Sequence, residues 1–206
     1  MLHKAKELFN NVAQDNEILA SFKYHSLRVM HMSCNLAKKN GCLDTDMQVA
    51  SLLHDIGKIG LSRQILLKPT KLTDLEYQII QSHSHIGNTI VRKQLNMPRA
   101  AGFIRDHHER WDGNGYPRGL KGDDISLQGR IISICDAFDT MTIDRRSYNK
   151  TPLTYEEALE ELVKSSWNQF DGNLVEQFIA IIQSFELPEA RSWWQDEKMM
   201  ESLFPV

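Results

Sequence analysis

The chain is poor in the features that mark exported, membrane-bound or fibrous proteins. No apolar stretch approaches the roughly 18 residues a membrane-crossing helix requires. Met1-Leu2-His3-Lys4 leads into an amphipathic segment instead of the apolar core of a signal peptide, so no membrane insertion is expected. Cysteine is scarce: Cys34, Cys42 and Cys135 are the only three. Their odd count and lack of CxxC spacing exclude a disulfide framework and a zinc knuckle, and fit a reducing cytoplasm. Net charge is only -3, which argues against a general partner of DNA or RNA polymers but leaves room for a small anion held by local cations. Internal repeats and low-complexity tracts are absent, as are period-2 runs bounded by hairpin dipeptides.

What is present reads as one helical domain. Charged and hydrophobic residues make up 25% and 41% of the 206 residues, the balance of an ordinary packed protein, at a length that suits a single core. Thr73-x-x-Glu76 and Thr154-x-x-Glu157 are capping boxes, in which hydroxyl and carboxylate each satisfy a free amide at a helix start; Asn173-x-x-Glu176 is a weaker version. Leu127, Ile131, Ile134, Phe138 and Met141 recur at helical spacing, as do Leu27, Met30 and Cys34. The fold class is therefore all-α. The longest irregular stretch, Asp112 to Ser126, is rich in glycine and aspartate, and the tail from Pro188, with Trp193 and Trp194, reads as a docking helix.

The chemistry-bearing residues cluster in a few motifs. His107-His108-Glu109-Arg110-Trp111-Asp112-Gly113-Asn114-Gly115-Tyr116-Pro117 joins two potential metal ligands to a glycine-rich turn. Upstream, His54-Asp55 is followed by Gly57-Lys58, and downstream Asp136 flanks an apolar helical stripe. Adjacent ligands diverge in mid-helix, where each residue turns about 100°, and converge more easily where a helix ends. Gly57 and Gly113 are expected to supply those ends, whose free carbonyls favour cations. Neutral imidazoles suit iron, manganese and zinc, and a carboxylate can bridge two ions. Such a pair would acidify a shared water and clamp the oxygens of an in-line displacement at phosphorus, with Lys58 neutralising a nonbridging oxygen.

These residues resemble the HD-GYP phosphodiesterases, a branch of the all-helical HD superfamily of metal-dependent phosphohydrolases. The resemblance rests on His54-Asp55, Gly57-Lys58, His83-x-x-x-Gly87, His107-His108-Glu109, Asp112-x-Gly, Tyr116-Pro117 and Asp136. It extends to His25-Ser26-x-Arg28-Val29, Ile65-Leu66-x-Lys68-Pro69, Arg130-Ile131 and Phe170-Asp171. It implies one HD-GYP domain over residues 1–206, with a core at about 24–178, an N-terminal helical segment over 1–23 and a docking tail over 188–206. It further implies hydrolysis of cyclic di-GMP, with 3'3'-cGAMP a second substrate, to the linear dinucleotide pGpG or onward to GMP. Carried over by position, His25, His54, Asp55 and Asp136 would hold one divalent ion and His83, His107 and His108 the second, with Asp55 bridging. Iron or manganese is expected, with zinc, nickel or magnesium as substitutes. Asp55 and Lys58 would be catalytic. Lys58, Gly113, Gly115, Tyr116, Pro117 and Arg145 would contact substrate. Signalling partners of the GGDEF or receiver type, and a homodimer, are compatible with the family.

Two departures from the family pattern stand out. Members with a third metal place a glutamate one turn before the first histidine, where this chain has Ser21, so a dinuclear site is expected. The family string Asp-Arg-Pro-Tyr-Arg/Lys is replaced by Asp144-Arg145-Arg146-Ser147-Tyr148, which implies altered base preference or weaker binding. Several roles stay open at this level. Asp139 reads as a carboxylate orienting a ligand imidazole, and Glu109 as a similar support or an acid catalyst. The glycines and Tyr116-Pro117 read as substrate contacts or as turn formers, and Arg110, Arg118 and Lys121 equally as a solvated face. His3, His31 and His85 fit ordinary roles. Two other functions compete: a silent cyclic dinucleotide sensor, and a mononuclear phosphohydrolase needing only His25, His54, Asp55 and Asp136.

Overall fold

The structure, a computed structural model, describes residues 1–15, 17–143 and 151–184, without the side chains of 13–22. Arg145 and the string around it, the tail over 188–206 and the side chain of Ser21 therefore lie outside the described residues. Among those described, the fold is all-α, with no strand beyond an isolated bridge between Ser166 and Phe170. No helix among them is long and apolar enough to cross a membrane.

The order is α1 (Leu2–Asp15), α2 (Glu17–Lys39), α3 (Thr45–Leu53), a 3-10 turn (Ile56–Gly60), α4 (Arg63–Leu66), α5 (Asp74–Gln81) and α6 (His83–Ile90). Helix α6 runs into a π turn (Val91–Leu95), followed by α7 (Pro98–Asp106), a 3-10 turn (Gly122–Asp124), α8 (Leu127–Thr142), α9 (Tyr155–Lys164) and α10 (Gly172–Ser184). Both capping boxes form, at Thr73 before α5 and Thr154 before α9. The third start differs from its sequence reading: α10 begins at Gly172, and it is the Asp171 side chain that accepts from the Asn173 amide. Aspartate two residues earlier outcompetes asparagine because it can take an orphan amide of the first turn with a full negative charge.

Helix α2 is the axis of the core, packed by α1, α3, α8 and α10. Its Leu27 and Met30 are buried in the same core as the apolar stripe of α8, Ile131, Ile134 and Phe138. Phe138 sits edge-on between Tyr155 of α9 and Phe178 of α10, with ring centroids at 5.4 and 5.2 Å. Each such side chain stabilises the fold by roughly 1.5–3 kcal/mol on burial. This packing fixes α2 and α8, and with them His25, Asp136 and Asp139, on a rigid frame.

The 3-10 turn after α3 lies directly against α6. Gly57 makes that possible: a Cβ there would meet the His83 carbonyl oxygen at 1.9 Å and the Gly87 nitrogen at 2.6 Å. Its role is thus close approach, correcting the reading of Gly57 as a helix terminator; α3 ends earlier, with His54 as its C-cap. Likewise α7 ends at Asp106, with His107 as its C-cap, well before Gly113, which turns the following loop with φ +85°.

Candidate metal centre

Three imidazoles hang from helix ends by the same device. The last carbonyls of a helix have no amide partner within it, and here each accepts from the Nδ1 of a histidine three residues on. His54 donates to Ser51 O at 2.9 Å, His83 to Ile80 O at 2.6 Å and His107 to Ile104 O at 2.5 Å, at the ends of α3, α5 and α7. A carbonyl only accepts, so the proton sits on Nδ1 and Nε2 keeps its lone pair, turned inward. Burial holds all three imidazoles below their ordinary value, His83 and His107 at about 4, and so neutral at neutral pH. His108 is likewise held well below it by burial and by His107 and His83.

His25, from the middle of α2, is oriented differently. Its Nδ1 lies 2.7 Å from Asp139 Oδ2, and Arg28 donates to both oxygens of that carboxylate, at 2.6 and 3.1 Å. Asp139 thus has the orienting role read from the sequence, backed by a buried guanidinium. Burial by itself would raise the Asp139 carboxyl, but His25 and Arg28 keep it ionised.

The donor atoms converge into two groups. His25, His54 and Asp136 form one, and Asp55, His83, His107 and His108 the other, each with its ligand atoms within 4.8 Å of one another. Asp55 faces both. Its Oδ1 is 3.4 Å from His83 Nε2, whereas its Oδ2 is 3.6 Å from His54 Nε2 and 3.7 Å from His25 Nε2. Asp136 Oδ1 lies 3.2 Å from His25 Nε2. Burial opposes ionisation of Asp55, yet Lys58 and the surrounding imidazoles hold its carboxyl well below the usual carboxylate range.

These contacts fit a cation better than any internal partner. His25 Nε2 and His54 Nε2 stand 3.1 Å apart although both Nδ1 atoms already face oxygen acceptors. The Nε2 atoms of His83 and His107 are buried without a hydrogen-bond partner, and that of His83 points its lone pair at a carboxylate oxygen. Opposed lone pairs and orphaned buried acceptors are unfavourable, and divalent metal ions bound by nitrogen and oxygen donors would relieve both. All seven residues read from the sequence as ligands are therefore brought together in two groups, with Asp55 falling beside His83, His107 and His108 while its other oxygen faces His25 and His54.

The remaining expected site residues border the cluster. Lys58 Nζ lies 2.5 Å from Asp55 Oδ2. The Tyr116 ring stacks at a tilt over His108, with centroids 4.7 Å apart, and its amide donates to His108 O. Gly115 lets the loop fold back: a Cβ there would meet Arg110 N at 2.3 Å. Gly113, half-buried, and Pro117, exposed, lie in the same loop.

Sequence reasoning did not foresee what holds that loop. Glu109 is buried, and its two oxygens accept from the amides of Arg118 and Leu120 at 2.7 and 2.8 Å. It is thus a loop anchor, and neither an acid catalyst nor a support for a ligand imidazole. Arg118 pairs with Asp106 and Arg110 with Asp112 and Gln169, so both arginines do more than coat a surface; Lys121 is exposed. The amides of Trp111 and Asp112 reach the carbonyls of Gln169 and Asn168 between α9 and α10. A carboxylate directly after a ligand pair, followed by a glycine loop, was the available signal. His3 and His85 are exposed and His31 is half-buried.

Comparison with known proteins agrees with this architecture. The family model described as HD domain matches residues 2–174. A cyclic di-GMP phosphodiesterase of Thermotoga maritima is 41% identical over 162 residues, covering 76% of this chain and 44% of that protein. A 3'3'-cGAMP-specific phosphodiesterase 2 of Vibrio cholerae is 38% identical over 190 residues, 86% of this chain and 36% of that protein. The chain thus spans less than half the length of these relatives. An HDG"Y"P protein from Bdellovibrio bacteriovorus superposes with a TM-score of 0.65 at 16% identity, over 89% of this chain and 65% of that one, a likeness of fold.

Proposed function

The chain belongs to the HD domain family, in the branch marked by His54-Asp55 and Gly115-Tyr116-Pro117, and from that premise we propose that it is a metal-dependent cyclic dinucleotide phosphodiesterase. Its substrate is cyclic di-GMP, with 3'3'-cGAMP as the second, and its product the linear dinucleotide. The observation that carries the reading is the double-facing Asp55, whose two oxygens address two separate sets of imidazoles. A mononuclear nucleotide phosphohydrolase would leave His83, His107 and His108 without a purpose.

His25, His54, Asp55 and Asp136 would hold one divalent ion and His83, His107 and His108 the other, iron or manganese, with Asp55 shared. When bound, such ions supply an acidified water and charge neutralisation for displacement at phosphorus. The chain's own residues do the rest. Asp55 fixes the separation of the two sets, and Lys58 presents its ammonium to a nonbridging oxygen as charge grows there. Tyr116, seated on His108 at the border of the cluster, faces the ligand, and Arg145 binds the second phosphate or a guanine. The free thiols of Cys34, Cys42 and Cys135 suit work in the cytoplasm.

The test is product chromatography after anaerobic incubation of iron- or manganese-loaded protein with equimolar cyclic di-GMP, 3'3'-cGAMP and cyclic di-AMP. Loss of a guanine-containing species to its linear dinucleotide, abolished by Asp55→Ala, is expected. No turnover by protein carrying two ions would replace the enzyme with a cyclic dinucleotide sensor.

A further inference from the structure

Resting on that reading, we propose that the cavity beside Tyr77 is a guanine subsite, in which Tyr77 stacks on the base and Asp74 reads its Watson–Crick edge. The cavity, of about 530 Å³, lies between the segment that follows α4 and the start of α5. Its volume is that of a small-ligand pocket. Ile65, Leu66 and Leu72 give it apolar walls.

The polar groups around it are unequal. Lys68 is engaged by both oxygens of Glu76, at 2.8 and 2.6 Å, so its charge is neutralised within the protein. Asp74 lies between the two residues of the capping box, Thr73 and Glu76, yet its own carboxylate makes no hydrogen bond or ion pair among the described residues. A carboxylate is acceptor-only, with two oxygens side by side. Guanine offers two parallel donors, N1–H and the N2 amino group, to such a pair. Adenine offers an acceptor at N1 and repels it.

Tyr77 supplies the face. Half exposed at 50%, it lines the cavity and meets the Tyr116 ring edge-on at 6.5 Å. Tyr116 in turn lies over His108. A line of rings thus runs from the imidazole cluster, where the phosphate reacts, to the cavity, where a base attached to the same nucleotide is received. Aromatic platforms hold bases because every base has a π-face, and edge hydrogen bonds then select among them.

The helix dipole also favours an acidic residue in the first turn of α5 whatever the ligand, so the decisive readout is base discrimination. Metal-loaded chain, residues 1–206, is assayed with bis(p-nitrophenyl) phosphate, a diester without bases, and cyclic di-GMP and cyclic di-AMP are titrated as competing inhibitors. Asp74→Asn is expected to reduce the preference for cyclic di-GMP over cyclic di-AMP about tenfold or more. Tyr77→Ala is expected to weaken inhibition by both about tenfold, and Tyr77→Phe to restore it. All three variants should hydrolyse the baseless diester at the wild-type rate. An unchanged base preference in Asp74→Asn, or equal losses on the baseless diester, would overturn the subsite. Inhibition that depends on Asp74, without turnover of any cyclic dinucleotide, would uphold the subsite and overturn the phosphodiesterase.

Discussion

The two halves of the imidazole cluster are built alike and balanced differently. In the half made by His25, His54 and Asp136, acid is close at hand: Asp136 faces His25, and Asp139 backs it while paired to Arg28. In the half made by His83, His107 and His108, three imidazoles are grouped with one carboxylate, Asp55, whose Oδ1 lies 3.4 Å from His83 Nε2, and His83 and His107 leave Nε2 without a hydrogen-bond partner. The first half sets carboxylates against its imidazoles, although the lone pairs of His25 and His54 still oppose each other at 3.1 Å. The second is electrostatically incomplete until a cation enters, because unpartnered polar atoms are costly in a low-dielectric interior. Asp55 couples the two, and Gly57 sets how closely they approach.

The comparison breaks most completely at Gly57. A Cβ there collides with the backbone of α6, not with a flexible side chain, so Gly57→Ala should push the turn and α6 apart, lower stability by about 3 kcal/mol and abolish binding at the second half. Thermal melts and metal titration read both effects. His83→Ala acts on one half only: bound metal should fall from two ions per chain to one, with cyclic dinucleotide hydrolysis lost and the fold intact by circular dichroism. Asp139→Asn probes the better-balanced half. With His25 no longer held by an ionised carboxylate, affinity for the first ion should weaken about 10- to 100-fold, while the second half titrates as before. The smallest effect lies outside both halves, at Glu76, whose carboxyl is pulled down to about 2 by Lys68 and Thr73. A carboxylate depressed in the folded state stabilises above its unfolded value, here 4.5, and that contribution is lost as pH falls from there through about 2. Melts of Glu76→Gln should therefore depend less on pH than wild type across that window, and metal content should not change.

The ligands were legible in the sequence because each lies in a short motif whose chemistry is carried by residue type: adjacent histidine and aspartate, a double histidine, a lone aspartate flanking an apolar stripe. The helices of the core were legible where periodicity or a capping box marked them, as in α2, α5, α8 and α9. What could not be read is the backbone that positions the ligands. Nothing in Ser51, Ile80 or Ile104 announces that its carbonyl will anchor an imidazole, since that role belongs to a helix end and not to a side chain. Gly57 looked like a terminator because close approach between distant segments leaves no local trace, and Glu109 looked like part of the cluster because its partners, the amides of Arg118 and Leu120, have no sequence signature. Arg28, read only as part of a motif, owes its role to Asp139, more than a hundred positions away.

The central claim is that Asp55 stands between two ions, and counting them tests it most directly. Metal analysis of anaerobically loaded protein, joined to anomalous scattering at the metal edge, should find two ions per chain, one on each side of Asp55. One ion, or three well-occupied ions, would contradict it.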